Sequence, residues 1–518
     1  MEIFDTTLRD GTQSSEVNLS VRDKIELVRA LDDFGVDYIE LGWPGSNPKD
    51  IECFKEVLKL KLKNSKIVAF GSTRRKNMTA HDDPLLKALL ESKAKVACIF
   101  GKTWLGHVEK QLNIKPEENL EAIADTVSFL KEKGLAVIYD LEHFFDGYKD
   151  NDEYALSCLR AAVKAGAQTV VLCDTNGGSI PSEVSEIVDL VKTFIDKNKY
   201  SVKLGVHMHN DSGFANANTL AAVELGCDHV HGTINGLGER VGNANLCTLI
   251  PALMLKKGYD LPNIKLQNLT KLSKMIYTLA NLKPDVHQPY VGKNAFSHKG
   301  GVHVDAVMKG ASYEHIDPNL VGNKREIVLS DLSGKANIVE VVKKFGFKVE
   351  KNNPKVDDML KKVELMEKKG YDIGTLPAEQ FLLTQEFFGS IGKIFSVTSW
   401  KIMSEVRNGE FSECVIIGKV DGKDREVVAP VQGGPVDAAF KSLKKMIATN
   451  YKFIEEVKLI NYKVMIAEDV GAESSVRVYI EFRNGKDEWG TAGVSPNILE
   501  ASMEAIEKGF RYYLLRHF

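Results

Sequence analysis

The chain has 518 residues, of which 43% are hydrophobic and 27% charged, the composition of a globular protein with several domains. The 68 Lys and Arg residues nearly balance 71 Asp and Glu residues, so the basic excess of nucleic-acid or acidic-membrane binders is missing. The seven cysteines are dispersed without a C-x-x-C pair, and no apolar run reaches the ~18 residues that span a bilayer. The N-terminus is too polar for a signal peptide. We therefore expect a cytoplasmic protein that binds neither nucleic acid nor membranes.

Eight short β-branched or apolar runs alternate with amphipathic helical segments in the first half of the chain. They begin every 26 to 40 residues, the length of one strand–helix unit, at 2–7, 37–42, 66–71, 95–100, 135–142, 169–175, 203–210 and 229–236. Eight such units in succession predict an α/β fold, a (β/α)8 TIM barrel. The rival is a doubly wound open sheet, which normally has a Gly-rich first turn. Here the first turn is TTLRDGTQ, which favours the barrel.

The pattern changes twice after the barrel. A segment rich in Gly, Pro and His opens the stretch 286–390, which predicts small helical subdomains rather than a plain linker. From about residue 391, three strand-like runs and a helix occur twice, an internal β-β-β-α repeat. We thus predict a catalytic barrel (1–285), helical subdomains (286–390) and an α+β regulatory or dimerisation domain (391–518).

Polar residues collect where the predicted barrel strands end, which is where barrel active sites lie. Alternation along strand 7 places His207 and His209 on one face, so both imidazoles can bind one ion, with Asp10 of strand 1 as a third ligand. Two core histidines bonded to backbone carbonyls are the alternative. A second pair, His229 and His231, lies nearer its strand's start, and we assign it a structural role.

Three more residues of this rim suit catalysis. Arg9 neighbours the proposed metal ligand and can bind a substrate carboxylate or a developing oxyanion, although a surface ion pair is the alternative. Glu142 can be a general base, or can merely orient a histidine. Thr175 can hydrogen-bond a carboxylate, or can cap the following turn.

Several motifs resemble those of a known enzyme family. TTLRDG, VHMHND and GERVGNANL resemble the acyl-CoA barrels with a DRE-type metal motif, in the 2-isopropylmalate synthase and homocitrate synthase family. The repeat that carries QGGPVDAAFKSL resembles the LeuA-type regulatory domain of that family. GWPGSNPKD, IFGKTW with His107, and LEHFFDGYKD resemble its (R)-citramalate synthase branch. The resemblance covers nearly the whole chain.

The resemblance implies a role for each site residue. It makes Asp10, His207 and His209 the ligands of a divalent ion, with Asn243 close by, and has Arg9 stabilise an enolate or alkoxide. It places Glu142 and Thr175 against the oxo acid and the acetyl group. It also implies a segment inserted into the partner subunit's active site, which carries His303, Asp305 and Tyr313.

The implied activity is an acyl transfer that condenses acetyl-CoA with pyruvate to citramalate and CoA, for isoleucine biosynthesis. It implies Mn, Mg, Zn or Co as the ion, a homodimer, and feedback by an amino acid, isoleucine, on the C-terminal domain. The base stays open between His303 and Glu142.

Three other enzymes that use the same barrel are the alternatives to this activity. The alternative acceptor is 2-oxoisovalerate, as in 2-isopropylmalate synthase. Homocitrate synthase would need cations for a second carboxylate, which Arg74, Arg75 and Lys76 could supply. An acyl-CoA lyase would need a cysteine, which the loop NGLGERVGN lacks.

Overall fold

The computed structural model describes residues 1–300, 304–306, 313–389, 394–405, 411–466, 474–485 and 487–517. The chain divides into two compact units. The barrel unit comprises residues 1–296 and 316–324, and the second unit comprises residues 297–315 and 325–518. The division into three domains at residues 285 and 390 stays a prediction.

Eight parallel strands close into a barrel in which β1 pairs with both β2 and β8. The predicted TIM barrel is thereby confirmed, and each strand falls within two residues of the start of its predicted run. The strands are β1 (Glu2–Asp5), β2 (Tyr38–Gly42), β3 (Lys66–Ser72), β4 (Val96–Lys102), β5 (Ala136–Glu142), β6 (Thr169–Asp174), β7 (Lys203–Met208) and β8 (His229–Gly232).

The barrel helices carry their own start and stop signals. In α1, Ser20 accepts a hydrogen bond from the Asp23 amide, the Asp23 carboxylate accepts one from the Ser20 amide, and Gly35 ends the helix at φ +104°. The helices of this unit are α1 (Val21–Phe34), α2 (Pro48–Val57), α3 (Pro84–Glu91), α4 (Pro116–Glu132), α5 (Phe144–Asp150), α6 (Asp152–Ala165), α7 (Pro181–Lys197), α8 (Ala215–Glu224), α9 (Leu246–Pro251) and α10 (Leu269–Leu279).

Side chains that alternate along the strands fill the barrel interior. His229 and His231 belong to this filling: their Nε2 atoms are 3.1 Å apart, and His229 Nδ1 lies 3.0 Å from Glu2 Oε2. The His231 ring stacks on Phe4 with centroids 3.9 Å apart. Gly205 on the neighbouring strand makes room, since a Cβ there would approach the His229 carbonyl oxygen to 2.8 Å. These contacts agree with a structural role for the second histidine pair.

The second unit contains the predicted β-β-β-α repeat, which is confirmed. Each copy is an antiparallel three-stranded sheet followed by a helix. The elements of the second unit are β9 (Ser297–His298), β10 (Glu326–Ile327), α11 (Lys335–Lys344), α12 (Pro354–Lys368), α13 (Pro377–Phe388), β11 (Phe395–Glu405), β12 (Phe411–Val420), β13 (Lys423–Val431), α14 (Pro435–Ala448), β14 (Lys458–Ile466), β15 (Val476–Asn484), β16 (Asp487–Ser495) and α15 (Ile498–His517). Across the described residues, no helix combines the length and the apolar character needed to cross a membrane.

A buried ion cluster ties α13 to the C-terminal repeat. Lys508 on α15 lies 3.2 Å from Glu379 and 2.9 Å from Glu504, and it donates to the Ala492 carbonyl. Glu379 is only 2% exposed and also accepts a hydrogen bond from the Ala492 amide. Tyr371 donates to Glu504 at 2.6 Å. A buried carboxylate of this kind depends on its cation, because an unpaired buried charge is costly.

We expect Lys508→Met to lower the free energy of unfolding by about 3–5 kcal/mol, since it leaves Glu379 buried without a counter-charge. Lys441→Met is the matched control, because Lys441 pairs with Asp437 at 2.7 Å on the same unit's surface, where a pair contributes about 1 kcal/mol or less. Urea unfolding followed by circular dichroism measures both variants. Equal transition midpoints for the two would contradict the prediction.

Candidate active site

A cavity of about 470 Å³ opens at the carboxyl ends of the barrel strands. Most of the rim residues predicted from the sequence line it: Arg9, Asp10, Glu142, Thr175, His207 and His209. They come from strands 1, 5, 6 and 7 or from the residues directly after them. The barrel thus brings together side chains that are up to 200 positions apart in the chain.

Asp10, His207 and His209 form a tight buried cluster. The His207 Nε2 atom lies 3.2 Å from His209 Nε2 and 3.2 Å from Asp10 Oδ2, and His209 Nε2 is 3.9 Å from the same oxygen. All three residues are 6% exposed or less. Within the described ranges, this is the group of three or more His, Cys, Asp or Glu residues whose ligand atoms could hold a metal ion.

The charge states of this cluster suit a divalent ion. Burial and the neighbouring His207 lower the pKa of His209 to about 3, so its imidazole is neutral and has a lone pair to offer. Burial alone would raise the pKa of Asp10, but the Arg9 guanidinium and the two imidazoles hold it well below its usual range. Adjacent ligands at ordinary metal–nitrogen distances lie about 3 Å apart, as these nitrogens do. The donors therefore fit the ion that the sequence predicts.

Asn243 completes this corner of the site. Its Nδ2 donates to Asp10 Oδ2 at 2.8 Å, while its Oδ1 is buried without a hydrogen-bond partner. A backbone bridge joins Asn243 to His209, so the loop after β8 returns to the end of β7. Gly242 permits this course: its φ is +94°, and a Cβ there would lie 1.9 Å from the Gly236 carbonyl oxygen.

Arg9 is held in place by contacts on two sides. Its Nε lies 2.7 Å from Glu40 Oε2, and its guanidinium carbon lies 3.8 Å from the centre of the Phe70 ring. Glu40 is fully buried and also accepts a hydrogen bond from Thr6 Oγ1 at 2.5 Å. The guanidinium is thus fixed at the cavity wall beside Asp10, with an Nη1–Oδ2 distance of 3.6 Å. This position suits an oxyanion or a substrate carboxylate.

Glu142 and Thr175 face the same cavity from the opposite side. Glu142 Oε2 lies 2.7 Å from Lys102 Nζ. The Thr175 hydroxyl oxygen accepts a hydrogen bond from the His143 amide at 2.9 Å. Arg240 closes this edge, because it binds both Asp211 carboxylate oxygens and donates to the Thr175 carbonyl at 2.8 Å.

The predicted inserted segment carries His303, Asp305 and Tyr313. His303 falls outside the described residues. Asp305 belongs to the second unit, where its carboxylate pairs with Lys351 at 2.7 Å. Tyr313 is in the same unit and is half exposed. Their roles in a partner's active site stay a prediction.

Sequence reasoning counts Asp140 among the polar residues at the end of strand 5 but assigns it no role, and it misses an aromatic wall. Asp140 lines the cavity, and burial raises the pKa of this carboxyl to about 7, although the neighbouring His207 opposes the rise. An aromatic wall lines the side of strands 2 to 4, where Phe70 and Phe100 stack at 5.2 Å and Trp43 meets both edge-on at 5.6 Å. The only signal for Asp140 was its place near the end of β5. The aromatic wall had no such signal in the sequence, because apolar residues in a strand ordinarily predict the hydrophobic core.

Three family models match successive parts of the chain. Residues 1–276 match the HMGL-like family, 290–370 the homocitrate synthase post-HMGL domain-like family, and 378–514 the LeuA allosteric (dimerisation) domain. These three matches cover most of the sequence, in the order that the sequence motifs predict.

Full-length relatives narrow the assignment. (R)-citramalate synthases of Aquifex aeolicus and Sulfolobus acidocaldarius are each 45% identical to this chain over 99% of its length, covering 98% and 97% of their own. A 2-isopropylmalate synthase of Methanocaldococcus jannaschii is 31% identical over 99% of this chain and 95% of its own. The chain belongs to the (R)-citramalate synthase family, whose members are acyltransferases with a TIM barrel and an allosteric dimerisation domain.

Proposed function

We propose that the protein condenses acetyl-CoA with pyruvate, giving (R)-citramalate and CoA. The observation that carries this proposal is the buried Asp10, His207 and His209 cluster, which faces the same cavity as Arg9 and Glu142. Five relatives named (R)-citramalate synthase, 42–45% identical over the full length, support pyruvate as the acceptor.

Asp10, His207 and His209 would hold the ion, with Asn243 orienting Asp10. When bound, a divalent ion supplies Lewis-acid polarisation of the keto group of the oxo acid. Mn, Mg, Zn and Co all accept such a mixed nitrogen and oxygen donor set. Arg9 and the Thr175 hydroxyl lie at the cavity wall, where they can bind the carboxylate and the keto oxygen of pyruvate.

The carbon–carbon bond forms after a base takes a proton from the acetyl methyl group. The resulting enolate carbon attacks C2 of pyruvate, the electron pair of the keto bond moves to oxygen, and that oxygen takes up a proton. Water then cleaves the thioester and releases CoA. Glu142 lines the cavity and is a candidate base, and His303 of the partner is the other.

Two structural features favour a small acceptor. The aromatic wall of Trp43, Phe70 and Phe100 lines the cavity beside Arg9, where these large rings would restrict a branched oxo acid. Arg74 and Arg75, the cations that a second carboxylate would need, pair with Asp125 and Asp83 instead and do not line the cavity. The first feature disfavours 2-isopropylmalate synthesis and the second homocitrate synthesis.

The remaining proposals concern assembly and location. The match to the LeuA dimerisation domain supports a homodimer and an allosteric effector that binds within 391–518. Isoleucine, the product of the pathway that citramalate would enter, is the proposed effector. All seven cysteines are buried and none forms a disulfide, which supports the cytoplasm as the compartment.

The acceptor is tested by CoA release from acetyl-CoA with Mn²⁺ or Mg²⁺ and pyruvate, 2-oxobutanoate, 2-oxoisovalerate or 2-oxoglutarate. We expect pyruvate to give the highest kcat/KM, because the full-length relatives named (R)-citramalate synthase support it as the acceptor. Preference for 2-oxoisovalerate would overturn the acceptor but keep the mechanism. No release with any acceptor would overturn the condensation itself.

Removing the metal ligands tests the ion site. We expect His207→Ala with His209→Ala to lower kcat by about a thousandfold or more and to abolish metal binding, since polarisation of the keto group contributes several kcal/mol. His81→Ala is the control, because His81 is an exposed histidine paired with Asp82. Metal content is read by mass spectrometry and folding by circular dichroism. A double variant that folds, binds no metal and keeps its activity would refute the site.

The effector is tested on the full-length enzyme. We expect isoleucine to inhibit CoA release at concentrations at which leucine has no effect. Steady-state rates with each amino acid decide the point, and equal responses to both would contradict isoleucine as the effector.

A further inference from the structure

The pairing of β4 with β5 places Lys102 directly beside Glu142. The two residues are register partners at the ends of adjacent parallel strands, and the Thr103 amide donates to the Glu142 carbonyl at 3.1 Å. Neighbouring residues in register point to the same face of a sheet. The backbone alone therefore brings a lysine against a carboxylate of the cavity.

The ion pair lies on the protein side of the carboxylate. Lys102 Nζ is 2.7 Å from Glu142 Oε2, and the two side chains are 11% and 20% exposed. Glu142 lines the cavity and Lys102 does not. The ammonium thus contacts the carboxylate on the side away from the cavity. Partial burial there makes the interaction stronger than that of a surface ion pair.

Helix α4 fixes the strand end that carries this lysine. Asn119, itself 1% exposed, donates from Nδ2 to the Lys102 carbonyl oxygen at 2.9 Å. The same Nδ2 also lies 2.9 Å from the Tyr154 hydroxyl, in the interior of the barrel wall. The Lys102 backbone therefore has little freedom to move away from Glu142.

Other titratable groups lie near Glu142, but none of those described pairs with it as Lys102 does. Among the described residues, Lys102 is the one cation within salt-bridge distance of Glu142. The next residue, His143, lies 3.8 Å from Asp146, and its ring meets His107 with centroids 4.4 Å apart. Further ionisable groups near this corner are Tyr139 and Asp140 on the same strand and Cys173 on β6.

We propose that Lys102 is a positioning residue that holds Glu142 Oε2, so that the second carboxylate oxygen is presented to the acetyl methyl group. This inference rests on the proposed condensation, with Glu142 as the group that takes the methyl proton. In that step the C–H bond breaks, its proton passes to Glu142, and its electron pair remains on the enolate. Without the ammonium, the carboxylate can rotate out of the orientation that proton removal requires.

The test compares Lys102→Met and Lys102→Arg with Glu142→Gln. We expect Lys102→Met to lower kcat by about 10–100-fold with little change in KM for pyruvate, and Lys102→Arg to recover most of the loss. Lys59→Met is the control, since Lys59 pairs with Glu56 at the exposed surface.

An isotope effect separates positioning from general damage to the fold. We expect the ratio of kcat with acetyl-CoA to kcat with trideuterated acetyl-CoA to rise in Lys102→Met, because proton removal becomes the slow step. An unchanged isotope effect would overturn the positioning role, even if kcat falls. If Lys102→Met fails to fold, the same measurement on Lys102→Arg and Lys102→Gln decides.

The double variant Lys102→Met with Glu142→Gln distinguishes failure of this inference from failure of the proposed function. If Lys102 acts through Glu142, the two losses do not add, and the double variant resembles Glu142→Gln alone. Additive losses would overturn the inference while leaving the condensation intact. A fully active Glu142→Gln would remove Glu142 as the base, and absence of CoA release by the unaltered enzyme would overturn the proposed function itself.

Discussion

The buried carboxylate of Asp10 is the constraint on which the site depends. At 2% exposure it lacks the solvation that would stabilise its charge, and the protein supplies Arg9, Asn243 and two imidazoles instead. Arg9 is in turn bonded to the fully buried Glu40. Asp10 and Glu40 bring two carboxylates to this corner against the one guanidinium of Arg9, which leaves one negative charge in excess among these three groups. A divalent cation offsets that charge, so the electrostatics and the donor geometry point to the same ligand.

The loops at the barrel mouth stabilise one another around this cluster. Arg240 joins the loop after β8 to Asp211 after β7 and to Thr175 after β6. Gly242, in a backbone conformation that other residues adopt only with strain, returns the same loop toward His209. The ends of three strands are thereby held in one arrangement, as a site must be when catalysis requires fixed donors.

Much of this architecture could be predicted from the sequence, because its signals are local. The eight strands show as β-branched runs at regular spacing, and the H-x-H pair at 207 and 209 follows from the two-residue period of a strand. The repeat near the C-terminus was visible for the same reason. The two-residue pairing of β9 with β10 was not, since so short a strand leaves no periodic pattern.

Contacts between distant positions could not be read from the sequence. Glu40 lies in a strand that reads as buried and apolar, and its partner is 31 residues away. Lys102 is found beside Glu142 only once the register of β4 and β5 is known, and Lys508 reaches Glu379 across 129 positions of the chain. Each pair joins elements whose approach is set by packing of the whole unit. Charged residues ordinarily predict solvent exposure, so the sequence does not indicate that these residues form ion pairs within the structure.

The cavity separates the chemistry of the reaction from the choice of acceptor. The ends of strands 1, 5, 6 and 7 provide Arg9, Asp10, Glu142, Thr175 and the two histidines, whereas Trp43, Phe70 and Phe100 lie on or directly after strands 2 to 4. The two sets meet where the Arg9 guanidinium rests on the Phe70 ring. Because the aromatic wall bears no metal ligand, its size can change without disturbing the ion site. The same catalytic groups can therefore work beside walls of different size, and with acceptors of different size.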